Sequence, residues 1–143
     1  GWTLSSEQGW SVFVPGTPVA QPRHRVSARG GFARVYLPKK HPVHDYKRRI
    51  AEATKYWPVF VGPVAVIVVA KFPMPASWSK KKRLEKVDKP HEQKPDPDNI
   101  SKAILDALNG CWRDDCQVSD LWLRKRWTDR EQGFTLLHIE EAT

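Results

Sequence analysis

The chain has 143 residues and a formal net charge of +8, from Lys+Arg 24 against Asp+Glu 16. That length suits a single domain able to bury roughly two-thirds of its unfolded surface, and that charge suits a polyanionic partner. Two cysteines make no disulfide framework, and no stretch approaches the roughly 18 apolar residues of a membrane helix.

Gly1-Trp-Thr-Leu has neither the basic start nor the apolar core of a signal peptide. Gly9 to Pro15 reads as a first strand, and Gly16-Thr-Pro turns the chain. Gln21-Pro-Arg-His-Arg-Val-Ser-Ala-Arg-Gly-Gly sets Arg23, Arg25 and Arg29 on glycine-rich backbone. That composition suits a loop laid on phosphates, or equally a plain solvated loop. Phe32 to Leu37 reads as a short strand. Pro42 to Trp57 reads as a helix with Val43, Tyr46, Ile50, Ala53 and Trp57 apolar and Lys47, Arg48, Arg49 and Lys55 on its polar side. Pro58 ends it.

Val59 to Ala70 is the most apolar run, broken by Gly62-Pro63. Its β-branched part, Val64 to Ala70, predicts a central strand buried on both faces. Ser77 is placed to cap a short helix, Trp78 to Val87, that holds Lys80, Lys81, Lys82 and Arg83. Lys86, Lys89 and Lys94 continue this basic run up to Asp96. A charge run is usually a solvated face; its adjacency to an acidic motif makes these residues candidate phosphate anchors.

That motif is Lys94-Pro-Asp-Pro-Asp-Asn-Ile-Ser-Lys-Ala-Ile-Leu-Asp-Ala-Leu-Asn-Gly110. Pro97 pushes Asp96 towards extended backbone, and Asp98 stands where a helix N-cap is expected. Ile100, Ala103, Ile104, Ala107 and Leu108 fall at helical spacing and form one apolar face. Asp98, Lys102 and Asp106 share the opposite face, and Asn109-Gly110 is a stop. Carboxylate oxygens are the hard ligands that Mg²⁺ and Mn²⁺ prefer. On extended backbone, Asp96 and Asp98 would share a face and aim at one ion. Asp114-Asp115 is the source of a third carboxylate: a helix of about eleven residues carries the chain roughly 16 Å away, and a loop of about six spans up to about 20 Å back. Lys102 would hold the scissile phosphate or stabilise developing charge. The plainer alternatives are that Asp98 only caps, Asp96 and Asp114-Asp115 only turn the chain, and Lys102 only pairs with Asp98.

Beyond the acidic turn, Gln117 to Trp127 reads as a strand, Thr128 to Gly133 as a hairpin connection, and Phe134 to Ile139 as the last strand. The order strand, strand, helix, strand, helix, helix, strand, strand predicts an α/β or α+β single domain, a mixed sheet with helices packed on it. The tryptophans read chiefly as packing residues, with Trp78 and Trp112 set apart by polar loop surroundings. His24 and His91 read as surface residues in basic loops. Cys111 and Cys116 read as free thiols of a reducing cytoplasm, which is the expected location. No Walker or Rossmann glycine pattern occurs, so no nucleotide cofactor is expected.

Taken together, Lys94-Pro-Asp-x-Asp-Asn, Lys102-Ala, Asp106-Ala-Leu-Asn-Gly and Asp-Asp-x-Gln-Val118 resemble the RusA family of Holliday junction resolvases. A weaker likeness runs from Pro15-Gly-Thr-Pro through Arg23-His-Arg25 to Tyr46. The resemblance implies a homodimeric, Mg²⁺-dependent endodeoxyribonuclease, with Mn²⁺ able to substitute, that resolves four-way DNA junctions in recombination and repair. Matched residue by residue, the family's metal-binding aspartates fall on Asp96, Asp98 and Asp115 and its catalytic lysine on Lys102. Cys111 and Cys116, flanking the acidic turn, are a local departure from the family's pattern. DNA contacts are expected among Arg23, Arg25, Arg29, Lys80, Lys81, Lys82, Arg83 and Lys94. The rival readings are a non-catalytic basic nucleic-acid-binding module, and a ribonuclease or general nuclease.

Overall fold

Runs of β-branched and aromatic residues supply the strands, and apolar residues at helical spacing supply the helices. The computed structural model describes residues 3–6, 9–22, 25–27, 34–36 and 40–142. Among them the strands are β1 (Thr3–Ser6), β2 (Gly9–Pro15), β3 (Arg25–Ser27), β4 (Arg34–Tyr36), β5 (Val64–Pro73), β6 (Val118–Thr128) and β7 (Phe134–Glu141). The helices are α1 (Val43–Thr54), α2 (Lys80–Lys86) and α3 (Pro97–Ala107). Five strands form one mixed sheet in the order β1-β2-β7-β5-β6, and β3 and β4 form a separate two-stranded ribbon. Among the described strands only β5 and β6 run parallel; a parallel pair needs a long crossover, and α2 and α3 lie within it. The α+β expectation holds. Among the described residues no helix is long and apolar enough to cross a membrane.

One core joins the helices to the sheet. Val12, Val14, Val64, Val66, Val68, Ala70, Phe72, Leu137 and Ile139 share a cluster with Val43, Tyr46 and Ile50 of α1 and Ile100, Ala103 and Ile104 of α3. Each large side chain buried this way contributes about 1.5–3 kcal/mol. Tyr46 Oη lies 2.6 Å from Thr135 Oγ1, a buried bond that ties α1 to β7. Burial pushes the Tyr46 phenol above its ordinary range. Lys47 Nζ bridges to Asp106 Oδ2 at 3.2 Å, linking α1 to α3.

Several expectations need correction. β5 is interior, but it is not buried on both faces: Ile67 is 37 % exposed. Its partner across β6, Trp122, is 60 % exposed, and Leu136, opposite Val69, is also exposed. The helices cover one face, so burial alternates from Val66 onward. Thr128–Gly133 is not a hairpin connection, because β5 lies between β6 and β7. Gly133 suits this crossing: a Cβ there would lie 2.3 Å from the Lys71 carbonyl oxygen. Its N–H donates to Thr17 Oγ1, and its carbonyl accepts from Gly16 N–H. α2 starts at Lys80, capped by Ser79 rather than Ser77, because a turn closed by Trp78 N–H on the Pro75 carbonyl occupies the preceding residues. β1 and β3 carry no alternation that foretold them, and the strand expected from Phe32 to Leu37 is described only over Arg34–Tyr36.

His91 is the largest departure among the histidines. It is buried, 7 % exposed. Its ring lies 4.3 Å from both Phe72 and Trp127, centroid to centroid, and its Nδ1 has no hydrogen-bond partner. Burial pushes its imidazole pKa below the ordinary 6.5, and nearby Lys125 pushes the same way. The unfolded chain therefore takes up this proton more readily than the folded one. The resulting stability is complete above pH about 6.5 and is lost as the pH falls through that value towards the folded pKa. The melting temperature should drop between about pH 7.5 and 5.5, the window in which an unfolded histidine gains its proton. His91→Phe should flatten that slope; thermal melts that fall equally steeply in both proteins would place the titration elsewhere.

Candidate active site

The mouth of α3 follows from one residue. Proline lacks an N–H and holds a helical φ, so it suits the first helical position. Pro97 opens α3, and Asp96 becomes the N-cap on extended backbone (φ −73°, ψ 145°). Asp98 falls inside the first turn. This corrects two expectations: Asp98 is not the cap, and the two aspartates do not share one extended face. Asp96 makes no capping bond with its side chain. Both carboxylates are exposed, and negative charge at a helix N-terminus is favoured by about 0.3–1 kcal/mol. Lys102, one turn beyond Asp98, is exposed as well. Ile100, Ala103, Ile104 and Leu108 are buried as their spacing predicts, while Ala107 is only partly covered. Asp106 is engaged by Lys47.

The segment leading to Asp96 is stitched along β6. Asp88 N–H donates to the Trp127 carbonyl, Trp127 N–H to Lys89 and His91 N–H to Lys125, at 3.0–3.1 Å. Lys125 Nζ donates to the Gln93 carbonyl. Burial lowers the Lys125 ammonium below its usual range, and the Asp96 carboxylate opposes this. Lys125 is thus a cation within electrostatic reach of Asp96. Nothing singled it out in the sequence except its register with Leu123 and Trp127. On the other side, Gln21 N–H donates to the Asn99 carbonyl at 2.9 Å. The arginine-bearing segment therefore starts beside the first turn of α3. Arg25 opens β3; Arg23 and Arg29 lie outside the described residues.

The acidic turn separates its two aspartates. Residues Asp115–Gln117 form a single 3-10 turn. Asp114 Oδ1 accepts from Cys116 N–H at 3.0 Å, and that bond holds its carboxyl below the usual carboxylate range. Gln117 Oε1 accepts from the N–H groups of Arg113 and Asp114. Gln117 Nε2 donates to the carbonyls of Phe60 and Gly62, at 2.9 and 3.1 Å. Asp114 is consumed in capping. Asp115 is exposed, and its carboxylate accepts a bond from Trp112 Nε1 at 3.0 Å on Oδ1. Trp112 is itself buried at 3 % exposure, contrary to its polar loop surroundings. Cys111 and Cys116 are free. Burial raises the first thiol and the Asp114 carboxylate raises the second, so neither is a ready thiolate.

Lys80, Lys81 and Lys82 on α2, and Lys94, are exposed. Lys82 Nζ sits 4.2 Å over the Trp78 ring. Arg83 donates to the carbonyls of Met74 and Pro75, which engages its guanidinium within the fold. Among the described residues no three His, Cys, Asp or Glu side chains are gathered closely enough to hold a metal ion. Asp96, Asp98 and Asp115 are therefore not gathered into one cage.

The family description "Endodeoxyribonuclease RusA" matches residues 15–136. A Bacillus subtilis (strain 168) protein named "Uncharacterized protein YqaN" is 38% identical over 122 residues, which covers 81% of this chain and 86% of that one.

The bonds around Gln117 carry a stability consequence. Gln117→Ala should cost about 2 kcal/mol, since four bonds, two of them part-buried, are lost together. Asp114→Ala should cost about 1 kcal/mol, the usual value of a cap. Denaturant titration giving the reverse order would show that Gln117 does not hold the turn.

Proposed function

The chain belongs to the RusA endodeoxyribonuclease family, and from that premise we propose that it is a divalent-metal-dependent endonuclease resolving four-way DNA junctions in recombination and repair. The observation that carries this reading is the mouth of α3, where the exposed carboxylates of Asp96 and Asp98 stand with no capping bond, one turn before Lys102. Their oxygen chemistry fits a hard cation, Mg²⁺ with Mn²⁺ as substitute. Asp96, Asp98 and Asp115 would hold it, and Asp114, occupied as a cap, would not. When bound, such an ion supplies Lewis acidity and lowers the pKa of a coordinated water. Lys102 places an ammonium at the phosphate, where it offsets charge that develops as the phosphodiester breaks.

DNA would be carried by Lys80, Lys81, Lys82 and Lys94, with Arg23, Arg25 and Arg29 from the segment that starts beside α3. Arg83 would contribute charge while bonded to Met74 and Pro75. Paired cleavage of a four-way junction needs two active sites, and a two-fold homodimer is the simplest way to supply them.

Asp98→Asn should lose Mg²⁺-dependent cleavage of a synthetic four-way junction while junction binding persists or tightens; full cleavage by that variant would refute the metal assignment. Binding without Mg²⁺-dependent cleavage by the wild-type chain would leave a non-catalytic basic nucleic-acid-binding module in its place. Lys81→Ala with Lys82→Ala should weaken binding and reduce the slope of log K against log salt by up to about 2, near 0.9 per phosphate contact. An unchanged slope would move the DNA path away from α2.

A further inference from the structure

We propose that Trp112 is a positioning residue: its indole N–H holds one oxygen of the Asp115 carboxylate, which would leave the other for a divalent cation. The inference rests on the reading of Asp115 as a metal ligand given above. Trp112 is anchored in the core, 3 % exposed. Its backbone pairs with that of Phe60, and Phe60 N–H donates to the neighbouring Cys111 carbonyl at 2.8 Å. From this anchorage the indole presents its only polar atom, a donor with no acceptor capacity, to Asp115 Oδ1 at 3.0 Å.

A purely structural role explains this bond poorly. The turn is already held by the Asp114 cap and by four bonds to the Gln117 amide. The fold also tolerates an unpartnered indole, for Trp57 Nε1 is buried with no hydrogen-bond partner. What the Trp112 bond adds is the orientation of one exposed carboxylate. An exposed aspartate otherwise samples several rotamers, and choosing one on binding an ion costs entropy. Hydrogen bonds to a ligating carboxylate tune metal affinity, typically by 10–100-fold.

The test is Mn²⁺ titration by calorimetry on the whole chain, comparing wild type, Trp112→Phe, Asp115→Asn and the double variant. Trp112→Phe keeps the ring and removes the N–H. It should weaken Mn²⁺ binding about 10–100-fold, and it should have no further effect once Asp115 is Asn. If Asp115→Asn weakens binding and Trp112→Phe does not, this inference fails alone. An Asp115→Asn protein that binds Mn²⁺ like wild type overturns the ligand reading and this inference with it. Should Trp112→Phe not fold, the wild-type indole N–H resonance decides. It should shift during Mg²⁺ titration, and a resonance that stays fixed while other signals saturate overturns the proposal.

Discussion

Burying one face of α3 decides which of its side chains stay in solvent. Ile100, Ala103, Ile104 and Leu108 are sealed in the same core as the sheet residues Val64, Val66 and Val68. With that face committed, Asp98, Lys102 and Asp106 must point away from it, since their spacing sets them on the opposite side of a 3.6-residue turn. Pro97 then fixes where the helix begins, and so leaves Asp96 outside it as a cap without a capping bond. The burial of several apolar side chains outweighs the few tenths of a kcal/mol that any single surface charge contributes. The charged face is therefore a consequence of the core.

The acidic residues divide into different kinds of work. Asp106 and Asp114 are spent internally, one on Lys47 and one on the backbone of the turn. Asp96 and Asp98 have no side-chain bond of that kind and remain exposed. The Asp115 carboxylate is bonded by a buried indole. A carboxylate that completes a cap loses little by staying where it is. One that faces solvent keeps its oxygens hydrated. Lys125, pressed down by burial and opposed by Asp96, shows that the approach to α3 is already an electrostatic environment.

The basic residues are sorted in the same way. α2 buries no side chain and is held by its Ser79 cap and by Arg83 on two carbonyls. That leaves Lys80 and Lys81 extended towards solvent, while Lys82 leans over Trp78. A helix held by its ends and not by packing has little reason to bury charge, and its lysines keep their full attraction for a polyanion.

Much of this chain is set by local rules. The strand Gly9–Pro15, the helix beginning at Val43, the interior position of β5 and the apolar face of α3 all follow from periodicity and from proline and glycine punctuation. So does the family, because the spacing from Lys94 to Val118 is a property of the chain itself. Tertiary structure alone decided the rest. It slid β7 between β2 and β5 and turned an expected hairpin into a crossing. It left Ile67 and Trp122 on an uncovered face. It buried His91 between two aromatic rings and brought Trp112 onto Asp115 and Gln117 onto Phe60 and Gly62. The reason is physical. Periodicity tells which side of an element is apolar. Which element arrives to cover that side, and which polar atom it brings, depends on contacts between residues far apart in sequence.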